Sequence, residues 1–291
     1  MIREKKRPKQ IVIISGKGGT GKTMLSASFA VLADSKVMVD CDVDAANLYL
    51  LLRPKVIRSE EFRGGLKAKI NALLCNQCGE CRSACRFDAI SENYAVDAVD
   101  CEGCGFCARV CPARAITMKE PVSGEWFISE TRYGPFLHAK LGIAEGNSGK
   151  LVSQIRQAAL ELAGNERKRV ILVDGPPGIG CPVIASLSGT DLAVVVTEPT
   201  LAGIHDMERV FSLARHFRVP VRVVINKFDL NPENARFIHS FCDAHEVEVI
   251  GEIPFSEQVS KAIVQGVPPV EFCRDGVRNE IISIWKKLER T

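Results

Sequence analysis

The chain has 291 residues, of which 46% are apolar and 25% charged, a composition typical of globular proteins that excludes a disordered or collagen-like chain. It contains no run of about 18 apolar residues, so no membrane-spanning helix is predicted. The formal net charge of only +3 does not suggest a dedicated nucleic-acid binder. The basic N-terminal stretch lacks the apolar segment of a secretory signal, and we interpret it as a solvated arm. We therefore expect a cytoplasmic protein.

Short apolar strands and helices alternate along most of the chain. Strands are predicted at 11–15, 37–39, 170–173, 192–197, 221–225 and 247–253. Helices are predicted at 22–33, 150–163, 203–217 and 232–245. The strands are rich in β-branched residues and almost free of polar ones, as in strands buried on both faces. The pattern predicts an α/β fold with a doubly wound, mostly parallel sheet.

The first strand runs into a glycine-rich loop, GKGGTGKT at 16–23, and a helix follows. This strand–loop–helix order is the setting in which the pattern indicates a phosphate-binding loop, whose backbone N–H groups surround phosphate oxygens. Lys22 is expected to reach the β- and γ-phosphates of a nucleotide, and the Thr23 hydroxyl to hold Mg²⁺. The loop residues predicted to bind the nucleotide are Gly16, Lys17, Gly18, Gly19, Thr20, Gly21, Lys22 and Thr23.

Lys17 is an unusual residue for a generic phosphate loop. With it, the sequence resembles the deviant Walker A family of ATPases, which includes MinD, ParA, the nitrogenase iron protein and the Mrp-type iron–sulfur carriers. The resemblance covers roughly residues 10–56 and 150–290. It implies a homodimer that encloses ATP, with Lys17 reaching the nucleotide of the partner subunit.

The segment VDCDVDAANL at 39–48 follows the second predicted strand and resembles the first switch of that family. By position, Asp42 is expected to orient the attacking water, and Asp40 to support the metal. Asp44 is interpreted as a surface or capping residue. The predicted catalytic residues are Lys17, Lys22 and Asp42.

Eight of the twelve cysteines crowd between positions 75 and 111 in two runs of identical C-x₂-C-x₂-C-x₃-C spacing. This is the spacing of two-cluster bacterial ferredoxins, in which the fourth cysteine of each run ligates the other cluster. One [4Fe–4S] cluster is expected to use Cys75, Cys78, Cys81 and Cys111. The other is expected to use Cys85, Cys101, Cys104 and Cys107.

Zinc is the alternative occupant of this cysteine-rich segment. A zinc site takes four ligands in two pairs and would leave the third cysteine of each run without a role, and no histidine lies between 71 and 117. The segment therefore predicts a small, inserted α+β ferredoxin-like domain at 71–117. The nucleotide-binding domain is expected in two parts, 1–70 and 118–291.

After the insert, residues 118–149 are predicted to form a hairpin and loop, with WFISETRY as a strand and Ser123–Gly124 as the turn. Further along, VILVDGPPGIG at 170–180 resembles a Walker B strand running into the second switch. Asp174 is expected to hold Mg²⁺ through water. Cys181 lies in that switch, and an ordinary packing role is favoured there over a transient metal or cluster contact.

The strand at 221–225 is followed by Asn226-Lys227-Phe228-Asp229. In GTPases the N-K-x-D pattern recognises guanine through its aspartate, whereas in the resembled family an asparagine at this strand end commonly contacts adenine. Four residues are a weak signal, and we favour ATP with Asn226 as a nucleotide-binding residue.

The C-terminal segment has apolar residues at helical spacing with basic residues between them. A helix that covers the sheet is favoured over a membrane-binding amphipathic tail. The apolar positions are Val277, Ile281, Ile284, Trp285 and Leu288. The other cysteines, Cys41, Cys242 and Cys273, are interpreted as small apolar residues.

The whole arrangement resembles the MinD-superfamily P-loop ATPases with an inserted ferredoxin domain. The resemblance implies an ATPase that couples its nucleotide state to electron transfer or metallocofactor assembly, acting on a redox or cofactor-assembly protein. Its expected cofactors are ATP, Mg²⁺ and two [4Fe–4S] clusters. Two alternatives remain open, namely an iron–sulfur cluster carrier or scaffold, and a MinD/ParA-like positioning ATPase.

Overall fold

The computed structural model describes residues 7–142, 146 and 148–290. The basic residues 1–6, interpreted above as part of a solvated arm, lie outside the described residues. The described residues form two compact units. The larger unit lies within 1–59, 126–139 and 148–291, and the smaller unit within 60–125 and 140–147.

Strands and helices alternate through the larger unit. The described strands are β1 (Lys9–Ser15), β2 (Lys36–Asp40), β3 (Lys55–Arg63), β4 (Lys67–Ile70), β5 (Ile116–Lys119), β6 (Val122–Thr131), β7 (Gly134–Leu141), β8 (Val170–Pro177), β9 (Leu192–Thr197), β10 (Val221–Asn226) and β11 (Glu248–Ile253). The described helices are α1 (Lys22–Leu32), α2 (Leu48–Leu52), α3 (Glu80–Ser83), α4 (Phe106–Val110), α5 (Ser148–Asn165), α6 (Cys181–Leu187), α7 (Leu201–His216), α8 (Pro232–Ala244), α9 (Glu257–Val264), α10 (Pro269–Phe272) and α11 (Gly276–Glu289), with one 3₁₀ turn at Phe228–Leu230.

Nine strands form a single sheet in the order β11-β10-β9-β1-β8-β2-β7-β6-β3. The pairs from β11 through β7 are parallel. The large, mostly parallel sheet predicted from the sequence is therefore confirmed, as is the α/β P-loop fold. The carboxyl ends of β1, β2 and β8 lie side by side, since Asp174 of β8 is in register with Asp40 of β2 and with Ile13 of β1. That edge is where open parallel sheets bind ligands.

The central strands are buried on both faces, which explains their uninterrupted apolar sequences. In β1, Ile11 and Ile13 belong to a core cluster with residues of α1, α10 and α11. The C-terminal helix packs into this cluster, and the ring centroids of Phe29 and Trp285 are 5.2 Å apart. The five apolar positions predicted for this helix are all buried, namely Val277, Ile281, Ile284, Trp285 and Leu288.

Among the described helices, none combines the length and apolar character needed to cross a bilayer.

The prediction of a turn at Ser123–Gly124 is wrong, because both residues lie inside β6. The chain reverses at Arg132 and Tyr133, between β6 and β7. A Cβ on Gly124 would lie 2.7 Å from the backbone oxygen of Lys140, so this glycine permits a close approach of two backbones rather than a turn.

The smaller unit contains the predicted insert together with residues on either side of it. β4 and β5 pair in antiparallel fashion, from Lys67 opposite Lys119 to Ile70 opposite Ile116. Two short helices, α3 and α4, carry cysteines of the two runs. The buried residues of its core are Ala68, Cys81, Ala89, Ile90, Cys101 and Ile116. A core this small is typical of domains that metals or disulfides complete.

Candidate functional site

The phosphate loop connects β1 to α1, and its glycines are required by its geometry. Gly19 and Gly21 have φ values of 80° and 94°, in the left-handed region that other residues rarely adopt. A Cβ on Gly16 would lie 2.4 Å from the backbone oxygen of Asp206 in α7, and one on Gly21 would lie 2.3 Å from the side-chain amide of Asn226. Backbone conformation therefore favours glycine at positions 19 and 21, and the space that neighbouring elements occupy favours it at positions 16 and 21.

Lys22 lies at the start of α1 in a cluster of carboxylates. Its Nζ is 3.2 Å from Asp174 Oδ1 and 3.5 Å from Asp42 Oδ2, and the side chain is almost fully buried. Burial alone lowers the pKa of Lys22, but attraction by Asp174, Asp42 and Asp40 outweighs it and the pKa is raised. The lysine is therefore charged and ready to exchange these carboxylates for phosphate oxygens.

Asp174 is fully buried in β8 and has one satisfied and one unsatisfied oxygen. Its Oδ1 accepts a hydrogen bond of 2.8 Å from Ser26 Oγ, while Oδ2 is buried without a partner among the described residues. A buried carboxylate oxygen left without a partner is costly, and a hydrated Mg²⁺ bound there would satisfy it. The residues present therefore fit the predicted metal.

Ser26 was not predicted from the sequence. It lies four residues after Lys22, on the same face of α1, and its hydroxyl also donates to the Lys22 carbonyl at 3.1 Å. A serine one helical turn after the loop lysine is the signal that could have identified it.

Asp40 has both carboxylate oxygens occupied by backbone amides. It accepts hydrogen bonds from Asp42 N at 3.0 Å and Leu48 N at 3.3 Å. Burial, followed by repulsion from Asp174, raises the pKa of Asp40 to about 8. The structure thus places Asp40 where it orders the segment carrying Asp42, and its support of the metal stays a prediction.

Asp42 is partly buried, whereas Asp44 is exposed. Burial raises the pKa of Asp42, and Lys22 opposes that effect. Of the aspartates in this segment, Asp42 is the one whose carboxylate both reaches Lys22 and retains access to solvent.

Lys17 is held within its own chain by Glu198, a residue that the sequence analysis missed. Its Nζ lies 2.5 Å from Glu198 Oε1 and donates to Thr200 Oγ1 at 3.2 Å. The other carboxylate oxygen of Glu198 lies 3.0 Å from Lys227 Nζ. Glu198 follows the strand end of β9, 181 positions after Lys17, and no local spacing connects the two residues.

Asn226, at the end of β10, is buried against the phosphate loop. Its Nδ2 donates to the Thr20 carbonyl at 2.8 Å, which leaves the second amide N–H and the amide oxygen as its remaining hydrogen-bonding groups. Asp229 lies in the following 3₁₀ turn, where its Oδ1 accepts a hydrogen bond of 2.7 Å from Phe255 N. That carboxylate is thus engaged in ordering the loop after β11.

In the smaller unit, one concave and mainly apolar pocket is lined by cysteines from both runs. These cysteines are Cys85, Cys101, Cys104 and Cys107. They are the same four that the sequence analysis assigned to one cluster, so the chain brings the fourth cysteine of the first run to the second run.

Of the cysteines assigned to the other cluster, Cys81 is buried in the core of the smaller unit and Cys111 packs against that core. Burial raises the pKa of Cys81. Backbone amides point at the sulfurs, since Ala115 N donates to Cys111 Sγ at 3.3 Å. Such N–H···S contacts stabilise thiolates and tune iron–sulfur clusters. Cys78 is exposed.

Among the described residues, no group of three or more cysteine, histidine, aspartate or glutamate side chains converges on a single metal-ion position. A [4Fe–4S] cube gives each thiolate a different iron atom, so its ligands surround a volume rather than a point. A tetrahedral zinc site requires convergence of all four ligands. The described thiols therefore do not by themselves show a metal or cluster site, and the two ligand sets stay a prediction.

The remaining cysteines lie outside these groups. Cys181 is exposed, at the first position of α6. Cys41, Cys242 and Cys273 are buried in the larger unit, as predicted, and burial raises the pKa of both Cys242 and Cys273 to about 11.

Comparison with known proteins identifies the nucleotide-binding part. The family model "CobQ/CobB/MinD/ParA nucleotide binding domain" matches residues 11–270. An uncharacterized protein of Methanocaldococcus jannaschii is 34% identical, over 96% of each chain. An uncharacterized ATP-binding protein of the same organism is 24% identical, over 96% of this chain and 86% of that protein.

The solved structures that resemble the chain include the septum site-determining protein MinD of Pyrococcus horikoshii complexed with Mg-ADP. The TM-score is 0.62 at 16% sequence identity, and the match covers 97% of this chain and 96% of that one. At this identity the similarity shows the fold alone.

Proposed function

The chain belongs to the CobQ/CobB/MinD/ParA family of nucleotide-binding domains and is an ATPase, and we propose that its ATP cycle acts on two [4Fe–4S] clusters carried by the smaller unit. The observation that carries the proposal is the pocket in which Cys85, Cys101, Cys104 and Cys107 come together. A nucleotide switch accounts for the larger unit, and a shared cofactor would account for the thiols from separate runs that line one pocket.

In the larger unit, each proposed role follows from the position of a side chain. Lys22 exchanges its carboxylate partners for the β- and γ-phosphates, while Thr23 and Asp174 hold Mg²⁺. Asp42 orients the attacking water, and Asp40 keeps the Asp42 segment in place through its two backbone hydrogen bonds. Catalysis by such a site consists mainly of positioning and charge neutralisation.

We propose adenine rather than guanine as the base. The Asp229 carboxylate, which a guanine would need, already accepts a hydrogen bond from Phe255 N, and the amide oxygen of Asn226 remains available to the exocyclic amine of adenine. In a competition assay, ATP is expected to displace a labelled nucleotide more effectively than GTP. A preference for GTP would overturn this assignment.

The active form is proposed to be a homodimer in which Lys17 contacts the nucleotide of the second copy. This proposal rests on the family resemblance around the phosphate loop and on the position of Lys17 at the rim of that loop, with its side chain 28% exposed.

In the smaller unit, the two ligand sets are proposed as predicted, with Cys75, Cys78, Cys81 and Cys111 around one cluster. The clusters supply one-electron transfer when they are bound. The chain provides thiolates, N–H···S hydrogen bonds and a mainly apolar pocket, which limits access of water. The partner is proposed to be a redox or cofactor-assembly protein.

A MinD/ParA-like positioning ATPase is the second candidate function, and the comparisons favour it because the relatives that they name are ATP-binding and MinD proteins. It requires no cluster. A cluster carrier is a third possibility, which transfer of iron and sulfide to an apo-acceptor would distinguish from a stable redox centre.

Anaerobic purification followed by iron and sulfide analysis tests the proposal. We expect wild-type protein to hold two [4Fe–4S] clusters, and Cys111→Ser to lose roughly half of the iron. Cys181→Ser is the matched control, because Cys181 is exposed and outside both ligand sets. Zinc, or no metal, in anaerobic wild-type protein would reduce the proposal to the positioning ATPase.

A further inference from the structure

The ion pair between Lys17 and Glu198 lies beside the phosphate loop, and none of the phosphate or metal contacts proposed above uses Glu198. We propose that Glu198 is a positioning residue that holds Lys17 on its own subunit until the nucleotide of a second copy competes for it. This inference rests on the proposed function of Lys17 in an ATP-bound homodimer.

The position of Glu198 is set by the turn that joins β9 to α7. Its carbonyl accepts a hydrogen bond of 2.8 Å from Thr200 N, and Thr200 Oγ1 in turn caps α7 by accepting from Gly203 N at 3.0 Å. A Cβ on Gly203 would lie 2.4 Å from the Glu198 carbonyl, so the turn is tightly packed. The backbone of Glu198 is therefore held in a packed turn, whereas Lys17 lies in the phosphate loop with its side chain 28% exposed.

The carboxylate of Glu198 is only 13% exposed, so the pair is partly shielded from water. Burial opposes ionisation of Glu198, but hydrogen bonds from Lys17 and Lys227 outweigh it, and its pKa is lowered. Glu198 is thus a charged acceptor that competes with phosphate oxygens for Lys17.

Lys227 makes release of Lys17 feasible. It lies 3.0 Å from Glu198 Oε2, and its Nζ also donates to the Gly19 carbonyl in the phosphate loop at 3.4 Å. When Lys17 leaves, Glu198 keeps one cation and is not left as an unpaired, partly buried charge, which would be strongly destabilising. The arrangement therefore allows Lys17 to exchange partners at moderate cost.

Removing the charge of Glu198 should release Lys17. Removing Lys227 should leave Lys17 as the cation paired with Glu198 and so strengthen the pair between Lys17 and Glu198. We expect Glu198→Gln to form the ATP-dependent dimer at an ATP concentration roughly 3- to 10-fold lower than wild type, as expected for loss of one partly exposed ion pair. Lys227→Met is expected to require a higher ATP concentration. A merely structural role would change both variants in the same direction.

Analytical ultracentrifugation of the full chain, titrated with a slowly hydrolysed ATP analogue and Mg²⁺, measures these midpoints. Glu233→Gln, an exposed glutamate in α8, is the control and should match wild type. Steady-state hydrolysis is expected to show a lower KM for Glu198→Gln with kcat within about twofold. Circular dichroism melts show whether each variant folds. If Glu198→Gln does not fold, the midpoint of Lys227→Met decides the test alone.

Lys17→Met separates failure of this inference from failure of the proposed function. If Lys17→Met dimerises as wild type does, the proposed role of Lys17 is wrong. If it does not dimerise, but the midpoints of Glu198→Gln and Lys227→Met equal that of wild type, then Glu198 has no hold on Lys17 and the inference is overturned.

Discussion

Three aspartates close together in the chain have different surroundings and therefore different chemistry. Asp40 is buried and bonded by two backbone amides, Asp42 faces Lys22, and Asp44 is exposed. Only a carboxylate that reaches both the phosphate region and solvent can orient a water molecule for attack. At the scale of the residue, the environment rather than the amino-acid type assigns the role.

Asp42→Asn is expected to lower kcat for ATP hydrolysis by about 10²-fold or more, because it removes the group proposed to orient water. ATP affinity should change little, since Lys22 and the loop amides remain. Rates and binding are measured by phosphate release and by calorimetry. Asp44→Asn is the matched control, and equal losses of activity in the two variants would contradict the assignment.

His138 is a partly buried titratable residue in the larger unit. Its ring stacks between Phe127 and Phe136, with centroid distances of 4.9 Å and 4.8 Å, and its Nε2 lies 3.0 Å from Ser129 Oγ. Burial lowers the pKa of His138 from 6.5 to about 4. The imidazole is therefore neutral in the folded protein at neutral pH.

The lowered pKa of His138 predicts a loss of stability in mild acid. Between pH 6.5 and about 4 the unfolded chain binds a proton that the folded chain does not, so the free energy of unfolding falls as the pH is lowered through this window. His138→Phe should reduce that dependence. Urea unfolding at pH 7 and pH 5 measures it, and parallel losses in wild type and variant would show that His138 does not contribute.

At the scale of the element, α11 packs directly on the sheet. A Cβ on Gly251 of β11 would lie 2.3 Å from Ile284 Cγ1, so the absence of a side chain in the strand allows the helix to approach. The apolar face of α11 is thus buried in the core rather than available to a lipid surface.

Ile284→Ala should destabilise the fold by about 2–5 kcal/mol, because it leaves a cavity between α11 and β11 that the sheet cannot close. Lys286→Ala, an exposed position on the same helix, is expected to change stability by less than about 0.5 kcal/mol. Denaturant midpoints measure both changes. Similar midpoints for the two variants would indicate that α11 is not part of the core.

The C-terminal end of α6 is anchored by Arg156, a buried cation of α5. Arg156 of α5 donates to the carbonyls of Ala185 and Ser188 at 2.6 Å and 2.8 Å, at the end of α6, and to Gln10 Oε1 at 2.7 Å. A cation at a helix C-terminus is favoured by the helix dipole. Arg156 therefore holds the C-terminal end of α6, and the N-terminal end of this helix follows the segment predicted to be the second switch.

At the scale of the whole molecule, the cysteine-rich segment interrupts the nucleotide-binding fold between the first switch and the Asp174 strand. The proposed coupling predicts that cluster oxidation state changes ATP turnover. Hydrolysis measured anaerobically with oxidised and with dithionite-reduced protein should give different rates. The Cys111→Ser variant should show a smaller difference, and equal rates for both states of the wild type would leave the two units functionally independent.

Local sequence was sufficient for features formed by contiguous residues. The phosphate loop, the alternation of strands and helices, and the apolar face of α11 are each encoded within a short segment, because hydrophobic periodicity and glycine placement act over a few residues. The cysteine spacing likewise predicted which thiols would share a pocket.

Tertiary structure decided the features that depend on approach between distant segments. Glu198 lies beside Lys17, Ser26 bonds Asp174, and Gly124 sits within a strand rather than a turn because other parts of the chain come close there. Amino-acid type and spacing describe what a residue can do. Which partner it meets depends on the packing of strands and helices far apart in sequence, and that packing exists only in the folded chain.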